Sequence, residues 1–438
     1  MFNSLLKSIK STQFGKASGR VTRYSGLMAE ASGLEVFVGE RCEIFSEDHH
    51  QTILAEVIGF IENKTLLMPI GKGEGITLNS RVIGLGVKSM VKVGHELLGR
   101  TIDAFVNPID DLGALKCTSL APLRRDKRHN PLSRERVDYR VSTSVPIIDT
   151  MLPIGRGQRI GVFAGSGVGK STILGQCANA DPDQINVVAL IGERGREVAD
   201  FIEDNLGQEG LSRSVVIVAT SDEPPLVRRC AVFTALAIAE YFCEQNKNVL
   251  LTLDSITRFA MAQREIGLAA GEPPTSKGYT PSVFSMLPEV VERTGNFKGK
   301  GSITALFSVL VEGDDLSEPI ADAMRGILDG HIVLSRKMAS KGLYPAVDVL
   351  MSNSRLWHRV SSIEEQNVVN QLRTHLSDKK DVEEMIEIGA YKSNENADLD
   401  LAYKKGKLIE SYLLSKRNEN KSLQRLYSDL QGILNDAG

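Results

Sequence analysis

A lysine and a serine, Lys170-Ser171, follow the glycine-rich run Gly165-Ser166-Gly167-Val168-Gly169. Glycine lets a backbone curl until successive N–H groups point inward at one anion. A lysine closing such a curl reaches the β- and γ-phosphates of a nucleotide, and the serine hydroxyl is offered to Mg²⁺. The apolar run Ile160 to Ala164 before it reads as a short buried strand. Thr172-Ile173-Leu174 after it can begin a helix, whose N-terminal partial positive charge also favours an anion. Strand, glycine turn, Gly-Lys-Ser and helix together read as a phosphate-binding P-loop. Its nucleotide contacts are Gly165, Ser166, Gly167, Val168, Gly169, Lys170, Ser171 and Thr172. The strict pattern has glycine where this chain has Ala164, which is tolerated unless that residue needs a positive φ.

Carboxylates must complete such a site. Asp254 ends the apolar strand Asn248 to Leu253 and has the form of an acid that holds Mg²⁺ directly or through water. Glu193 follows the strand Val187 to Ile191, in Gly192-Glu193-Arg194-Gly195-Arg196-Glu197. A carboxylate there can polarise the water that attacks the γ-phosphorus, an effect of about 10²–10⁴-fold for a positioned base. The same residue can equally pair with Arg194 or Arg196 at a helix start, and Glu197 is the rival base. Tyr344 in Gly342-Leu343-Tyr344-Pro345 either stacks on adenine from a loop edge or fills a core. Arg355 in Ser352-Asn353-Ser354-Arg355 either completes a neighbouring subunit's site or is a surface cation.

The elements that must position these groups follow from pattern. The chain has 438 residues, enough for two or three domains, with 42% hydrophobic and 24% charged residues. A net charge of −3 supplies no global basic field for nucleic acid. No run of about eighteen apolar residues predicts a membrane span, and the first ten residues lack a secretory core. Five scattered cysteines without His-Cys ligand spacing fit a reduced cytoplasmic protein with no structural zinc.

Residues 1–17 are expected to be a short leader, either a frayed terminus or, with Leu5, Leu6 and Ile9 sharing a helical face, a docking helix for a partner. Residues 18–90 hold short strands, among them Arg20–Tyr24, Gly26–Glu30, Glu35–Val38, Arg41–Phe45, Thr52–Phe60 and Thr65–Pro69. Polar and glycine turns separate them, which predicts a small barrel or sandwich, read as a structural or oligomer-forming collar. Residues 91–361 alternate near-continuous apolar strands with helices, Glu197–Leu206 and Pro225–Asn246 among them. They predict a mostly parallel sheet covered on both faces, with ligands at the strands' carboxyl ends. The stretch Pro122 to Pro131 carries Arg124, Arg125, Lys127, Arg128 and His129 and reads as a solvated charged face or as the lining of an assembled surface. Residues 362–438 read as a helical domain, with helices Glu364–Leu376, Lys380–Ile388 and a charged stretch Asp398–Leu434, broken at Gly389-Ala390-Tyr391.

These motifs resemble hexameric ATPases related to the catalytic β subunit of rotary ATP synthases. Within that group the chain most resembles the flagellar export ATPases and their relatives in type III secretion. The likeness rests on Phe163 to Ser171, Leu190 to Val198, Met261 to Ala269, Tyr279 to Phe284 and Ile327 to Arg336. It implies an α/β fold: a RecA-like P-loop NTPase core with an N-terminal β-barrel and a C-terminal helical domain. It further implies ATP and Mg²⁺ at Lys170 and Ser171, Asp254 as the Walker B acid, and Glu193 as the water-activating base with Arg194 beside it. Tyr344 becomes the adenine-side aromatic, and Arg355 the finger lent to the adjacent subunit.

The resemblance implies a homohexamer at the cytoplasmic face of the inner membrane, peripherally associated with the export apparatus. Its implied partners are a regulator near the N-terminus, a central stalk protein, export-gate proteins, and export cargoes with their chaperones. The alternatives are a virulence-type secretion ATPase, a rotary synthase subunit, or an RNA translocase. The last would need an RNA-binding barrel, for which Arg20, Arg23 and Tyr24 are thin evidence.

Overall fold

The computed structural model describes residues 17–46, 52–124, 130–391, 397–414 and 421–435. The leader face at Leu5, Leu6 and Ile9 lies outside the described residues, as do Arg125, Lys127, Arg128 and His129 of the basic stretch.

The first strands close into a barrel. Its order is Ser18–Ser25, Met28–Ser32, Lys64–Pro69, Thr52–Ile61, Glu40–Phe45 and Arg81–Lys88, the last pairing back to the first. Alternate residues point inward, as the pleat requires. Val21, Ala31, Cys42, Ile44, Ala55, Leu67 and Val82 fill the interior. Two expectations change here. Glu35–Val38 is no strand: it is a loop in which the Phe37 N–H donates to the Glu40 carboxylate at 3.1 Å. The strand that closes the barrel, Arg81–Lys88, is glycine-interrupted and was not anticipated by apolar run length.

A nine-stranded sheet follows. Its order is Val347–Ser354, Gly330–Leu334, Arg159–Ala164, Ser302–Leu310, Asn248–Asp254, Ile185–Ile191, Ser214–Ala219 and Arg100–Ile102. The short Gly295–Asn296 pairs off this path with Ser302–Leu310. From Gly330–Leu334 across to Arg100–Ile102 the strands are parallel, while Val347–Ser354 runs antiparallel at the edge. Ile185–Ile191 is buried along its whole length. Its Val187, Ala189 and Ile191 enter the core formed with helix Pro225–Glu244. Val188 and Leu190 enter the opposite core, which continues into Leu372, Ile409 and Leu430 of the C-terminal helices. Burial on both faces is why this strand reads as an unbroken apolar run.

Two helical expectations are corrected. The stretch read as one helix, Glu197–Leu206, is an α-helix Gly195–Asp200, a π-helical turn Phe201–Leu206, and a further helix Gly207–Ser212. The expected helices Glu364–Leu376 and Lys380–Ile388 are one continuous helix, Ile363–Glu387, opened by a capping box at Ser362 and Glu365. It runs through because the charge at its middle is satisfied: buried Lys379 pairs with Glu383 at 3.2 Å and Glu410 at 3.0 Å. The charged stretch from Asp398 divides into Ala397–Leu413 and Leu423–Asn435. Gly389, with φ 72, ends the long helix as expected.

Buried ion pairs pin the layers together. Arg229 on helix Pro225–Glu244 reaches Glu56 of the barrel at 2.6 Å, both side chains nearly solvent-free. Arg293 holds Glu240 with two 2.8 Å bonds and donates to the Leu123 carbonyl at 2.6 Å. Removing one partner of such a pair strands a buried charge. Arg229→Ala is therefore expected to cost about 3–5 kcal/mol in urea denaturation, whereas the double replacement Glu56→Leu with Arg229→Met costs far less.

Candidate active site

The P-loop forms where the strand Arg159–Ala164 meets the helix Lys170–Asn179. Gly167 and Gly169 take left-handed φ values of 76 and 87, which the tight curl demands and only glycine adopts freely. Ala164 stays in strand geometry, paired with Leu310 on one side and Leu334 on the other, so its methyl is accommodated. The helix has no side-chain cap at Gly169, which leaves its first N–H groups directed into the curl. Ser166, Gly167 and Thr172 are exposed at the mouth, Ser171 is half-buried, and Val168 is a buried anchor.

Lys170 is the centre of the charge arrangement. Its Nζ donates to Asp254 Oδ1 at 2.5 Å and lies 3.5 Å from Glu193 Oε1. Burial disfavours its charge, but the two carboxylates outweigh burial and raise its pKa, so it stays cationic. Asp254 is 2% exposed at the end of Asn248–Asp254. Glu193 follows Ile185–Ile191, the next strand over. The sheet order thus brings all three groups to the carboxyl ends of neighbouring parallel strands, where such sheets bind ligands.

Glu193 is set apart from ordinary glutamates. Burial pushes its pKa up, against the opposing pull of Lys170, and a hydrogen bond with Glu197 raises it further, to about 7. Glu197 moves the other way, chiefly because it receives that hydrogen bond from Glu193. Of the two carboxyls, burial and their contact make Glu193 the one that holds a proton more readily. Glu197 also pairs with Arg194 at 3.6 Å, and the Arg194 side chain is 83% exposed. Arg194 consequently faces solvent and does not join the Lys170 cluster.

Tyr344 is 42% exposed, which removes the core-tyrosine alternative. Its ring stands 3.4 Å from where a Cβ on Gly169 would be, so it lies against the end of the P-loop. Arg355 lies elsewhere. It follows the antiparallel strand Val347–Ser354, whose Ser354 pairs with Gly330 at the amino end of its neighbour. The P-loop is at the level of Leu334, at the other end of that strand. Four residues of strand place these levels about 13 Å apart. The Arg355 N–H donates to the Asp329 carbonyl and its guanidinium to the Arg325 carbonyl, each at 2.9 Å, with the side chain exposed.

One cation escaped the sequence reading. Arg258, in the first turn of helix Ile256–Ala269, packs so closely on Gly192 that a Cβ there would stand 2.9 Å from its side chain. Its buried Nε has no hydrogen-bond partner among the described residues. The available signal was its place just beyond Asp254, on a helix that starts at the same sheet edge.

The residues suit a magnesium nucleotide. Open space faces Gly167 on the side a Cβ would occupy, and the donors and acids present match a polyanion with a hard cation that takes few protein ligands. Fold and site define a P-loop nucleotide hydrolase. Residues 144–354 match the ATP synthase alpha/beta family nucleotide-binding domain. Residues 21–86 match that family's beta-barrel domain, and 361–432 match the T3SS EscN ATPase C-terminal domain.

The chain is 49% identical to the Bacillus subtilis flagellum-specific ATP synthase, over 91% of each chain. It is 42% identical to the type 3 secretion system ATPase of Xanthomonas euvesicatoria, over 99% of this chain and 98% of that one. The solved structure of assembled EscN from the enteropathogenic E. coli type III secretion system superposes with a TM-score of 0.88 at 39% identity. That match covers 95% of this chain and 100% of EscN. The chain belongs to the family of flagellum-specific and type III secretion ATPases, and it is an ATP-hydrolysing enzyme.

The raised Glu193 carboxyl has a measurable consequence. Below the ordinary glutamate value it is neutral folded or unfolded. Between that value and about 7 the unfolded chain releases the proton while the folded one keeps it, so folding weakens as pH rises through this window. Glu193→Gln lacks this penalty. Its stability relative to the native protein should therefore be greater at about pH 8 than at about pH 4, read from denaturation midpoints.

Proposed function

We propose that this chain works as a homohexameric ring ATPase that energises or facilitates flagellar protein export. The observation that carries the reading is the separation of Lys170, Glu193 and Asp254 from Arg355. The first three meet at one edge of the sheet, while Arg355 presents an exposed guanidinium at the other. An arginine so placed cannot serve its own P-loop but can serve that of a neighbour in a ring.

In this reading the P-loop amides and Lys170 hold the β- and γ-phosphates, and Tyr344 supports the adenine side. Ser171 and Asp254 would hold Mg²⁺, which would supply positive charge to the phosphate oxygens. Glu193 gives its proton to solvent, then orients and polarises the attacking water. Exchange of Lys170 from Asp254 to the phosphates frees that carboxylate for its acid role. Arg355 from the adjacent subunit stabilises charge on the transferred phosphoryl group. ATP bridging two subunits favours a closed interface, and loss of the γ-phosphate removes that differential affinity.

The division at residues 17, 90 and 361 assigns a leader to a regulator, the barrel to ring assembly and the C-terminal helices to cargo or chaperones. A central stalk protein fits the same scheme, since an EscN structure with TM-score 0.84 to this chain is of EscN in complex with its central stalk EscO. No described helix is long and apolar enough to cross a membrane, which fits peripheral association with the export apparatus from the cytoplasm. The flagellar reading draws on relatives at 49% and 46% identity called flagellum-specific ATP synthases. The injectisome reading draws on the EscN structure and the Xanthomonas relative.

Glu193→Gln is expected to lower kcat by about 10²–10⁴-fold, with Glu197→Gln far milder, in steady-state phosphate release. Arg355→Ala is expected to lose about 10³-fold or more. Mixing the Arg355→Ala and Glu193→Gln proteins should restore part of the activity, because some interfaces then combine an intact base with an intact finger. Failure of mixing to restore any turnover counts against the shared site. Loss of swimming on gene deletion supports the flagellar role, and normal swimming with lost effector secretion supports the injectisome.

A further inference from the structure

Gly165 is glycine for a reason its backbone does not supply. Gly167 and Gly169 need left-handed φ values, but Gly165 is outside that region. Space decides instead. A Cβ on Gly165 would stand 2.6 Å from Arg336 Nη2 and 3.1 Å from Asp314 Oδ1. Gly165 is accordingly buried, although Ser166 and Gly167 beside it are exposed.

Topology explains how the two side chains arrive. The P-loop strand Arg159–Ala164 has two neighbours, and Ala164 is in register with Leu310 of one and Leu334 of the other. Each neighbour sends one residue over the first turn of the loop. Asp314 comes from the turn after Leu310, where Gly313 and Asp314 both hold left-handed conformations, φ 65 and 59. Arg336 comes from the start of helix Arg336–Ser340, whose cap Ser335 accepts the Met338 N–H at 3.3 Å. The Arg336 Nε and Asp314 Oδ2 are 3.7 Å apart and both side chains are about half exposed. A pair so open adds little to stability. Its location over the phosphate loop is the informative feature.

We propose that Arg336 is a positioning residue for ATP: steadied by Asp314, its guanidinium roofs Gly165 and holds the first turn of the P-loop in its phosphate-binding shape. It also sets a cation over the opening residue of the loop that Lys170 closes. This rests on the P-loop reading of the nucleotide site. Arg336 acts on the loop and not on the reacting atoms, so its loss weakens nucleotide binding more than it slows chemistry.

The test is steady-state ATPase kinetics with MgADP titration calorimetry on the full-length protein. Arg336→Ala should raise both KM for MgATP and Kd for MgADP by about tenfold, well inside what a misplaced loop can cost. Its kcat should stay within about twofold and its melting midpoint should not move. Gly165→Ala pushes away the flexible end of Arg336, so it should reproduce the same rise. The double variant should be no worse than the poorer single one. If Arg336→Ala unfolds, Arg336→Gln takes its place in the cycle. Unchanged KM in the arginine variant, or effects that multiply in the double variant, would overturn the proposal. Lys170→Ala separates the two levels: retained MgADP binding there refutes the P-loop site itself. Lost binding there with a normal Arg336 variant refutes only the role of Arg336.

Discussion

An ammonium group held out of water between two carboxylates is the constraint around which this molecule is arranged. Lys170 lies 2.5 Å from Asp254 and 3.5 Å from Glu193. The ammonium would be costly to bury alone, and it is tolerated because Asp254 and Glu193 both accept from it at short range. The arrangement is also poised for exchange. A lysine that satisfies a buried acid can transfer its attraction to an incoming phosphate, and the acid released is then available to a hard cation. The price in net stability is modest only because the sheet holds all three groups in place without reorganisation.

The sheet does that through strand order. The P-loop strand and the strand bearing Asp254 are separated by one strand, and the strand before Glu193 lies beyond. All are parallel, so their carboxyl ends coincide. The single antiparallel strand at the edge reverses the chain and delivers Arg355 to the opposite end. One reversal therefore puts Arg355 and the P-loop at opposite edges of the sheet. The start of the P-loop strand is tied to that second edge as well. Arg159 holds the Asp329 carboxylate through its backbone N–H at 3.0 Å and its side chain at 2.9 Å, and the Asp329 carbonyl accepts from Arg355. A covalent strand of a few residues thus spans from the P-loop to the carbonyl that anchors the Arg355 backbone.

Packing makes the three regions act as a unit. The core on the sheet face opposite helix Pro225–Glu244 passes without interruption into the C-terminal helices, where Tyr427 donates to the Thr150 carbonyl at 2.8 Å. The barrel is fastened by Glu56 to Arg229. Such buried pairs specify geometry more than they add stability, since an apolar substitute of equal volume would serve stability as well.

Much of the site was legible without coordinates. Glycine at 167 and 169, lysine at 170 and an acid ending an apolar strand at 254 are local statements, because backbone conformation and strand burial are read from neighbours in the chain. Strands buried on both faces announced the parallel sheet for the same reason. What the local pattern missed were elements whose identity depends on distant partners. Strand Arg81–Lys88 is a strand because Ser18–Ser25 and Glu40–Phe45 need it to close. Helix Ile363–Glu387 runs unbroken because Glu410 from another helix answers Lys379. The residue types and their order along the chain determined that a P-loop forms and where it lies. Only the folded arrangement decided that the Glu193 carboxyl is raised by burial, that Arg194 faces solvent, that Arg336 covers Gly165, and that Arg355 lies at the opposite end of the sheet from the P-loop. Each of those depends on burial or on charge brought close through space, and neither is a property of neighbours in sequence.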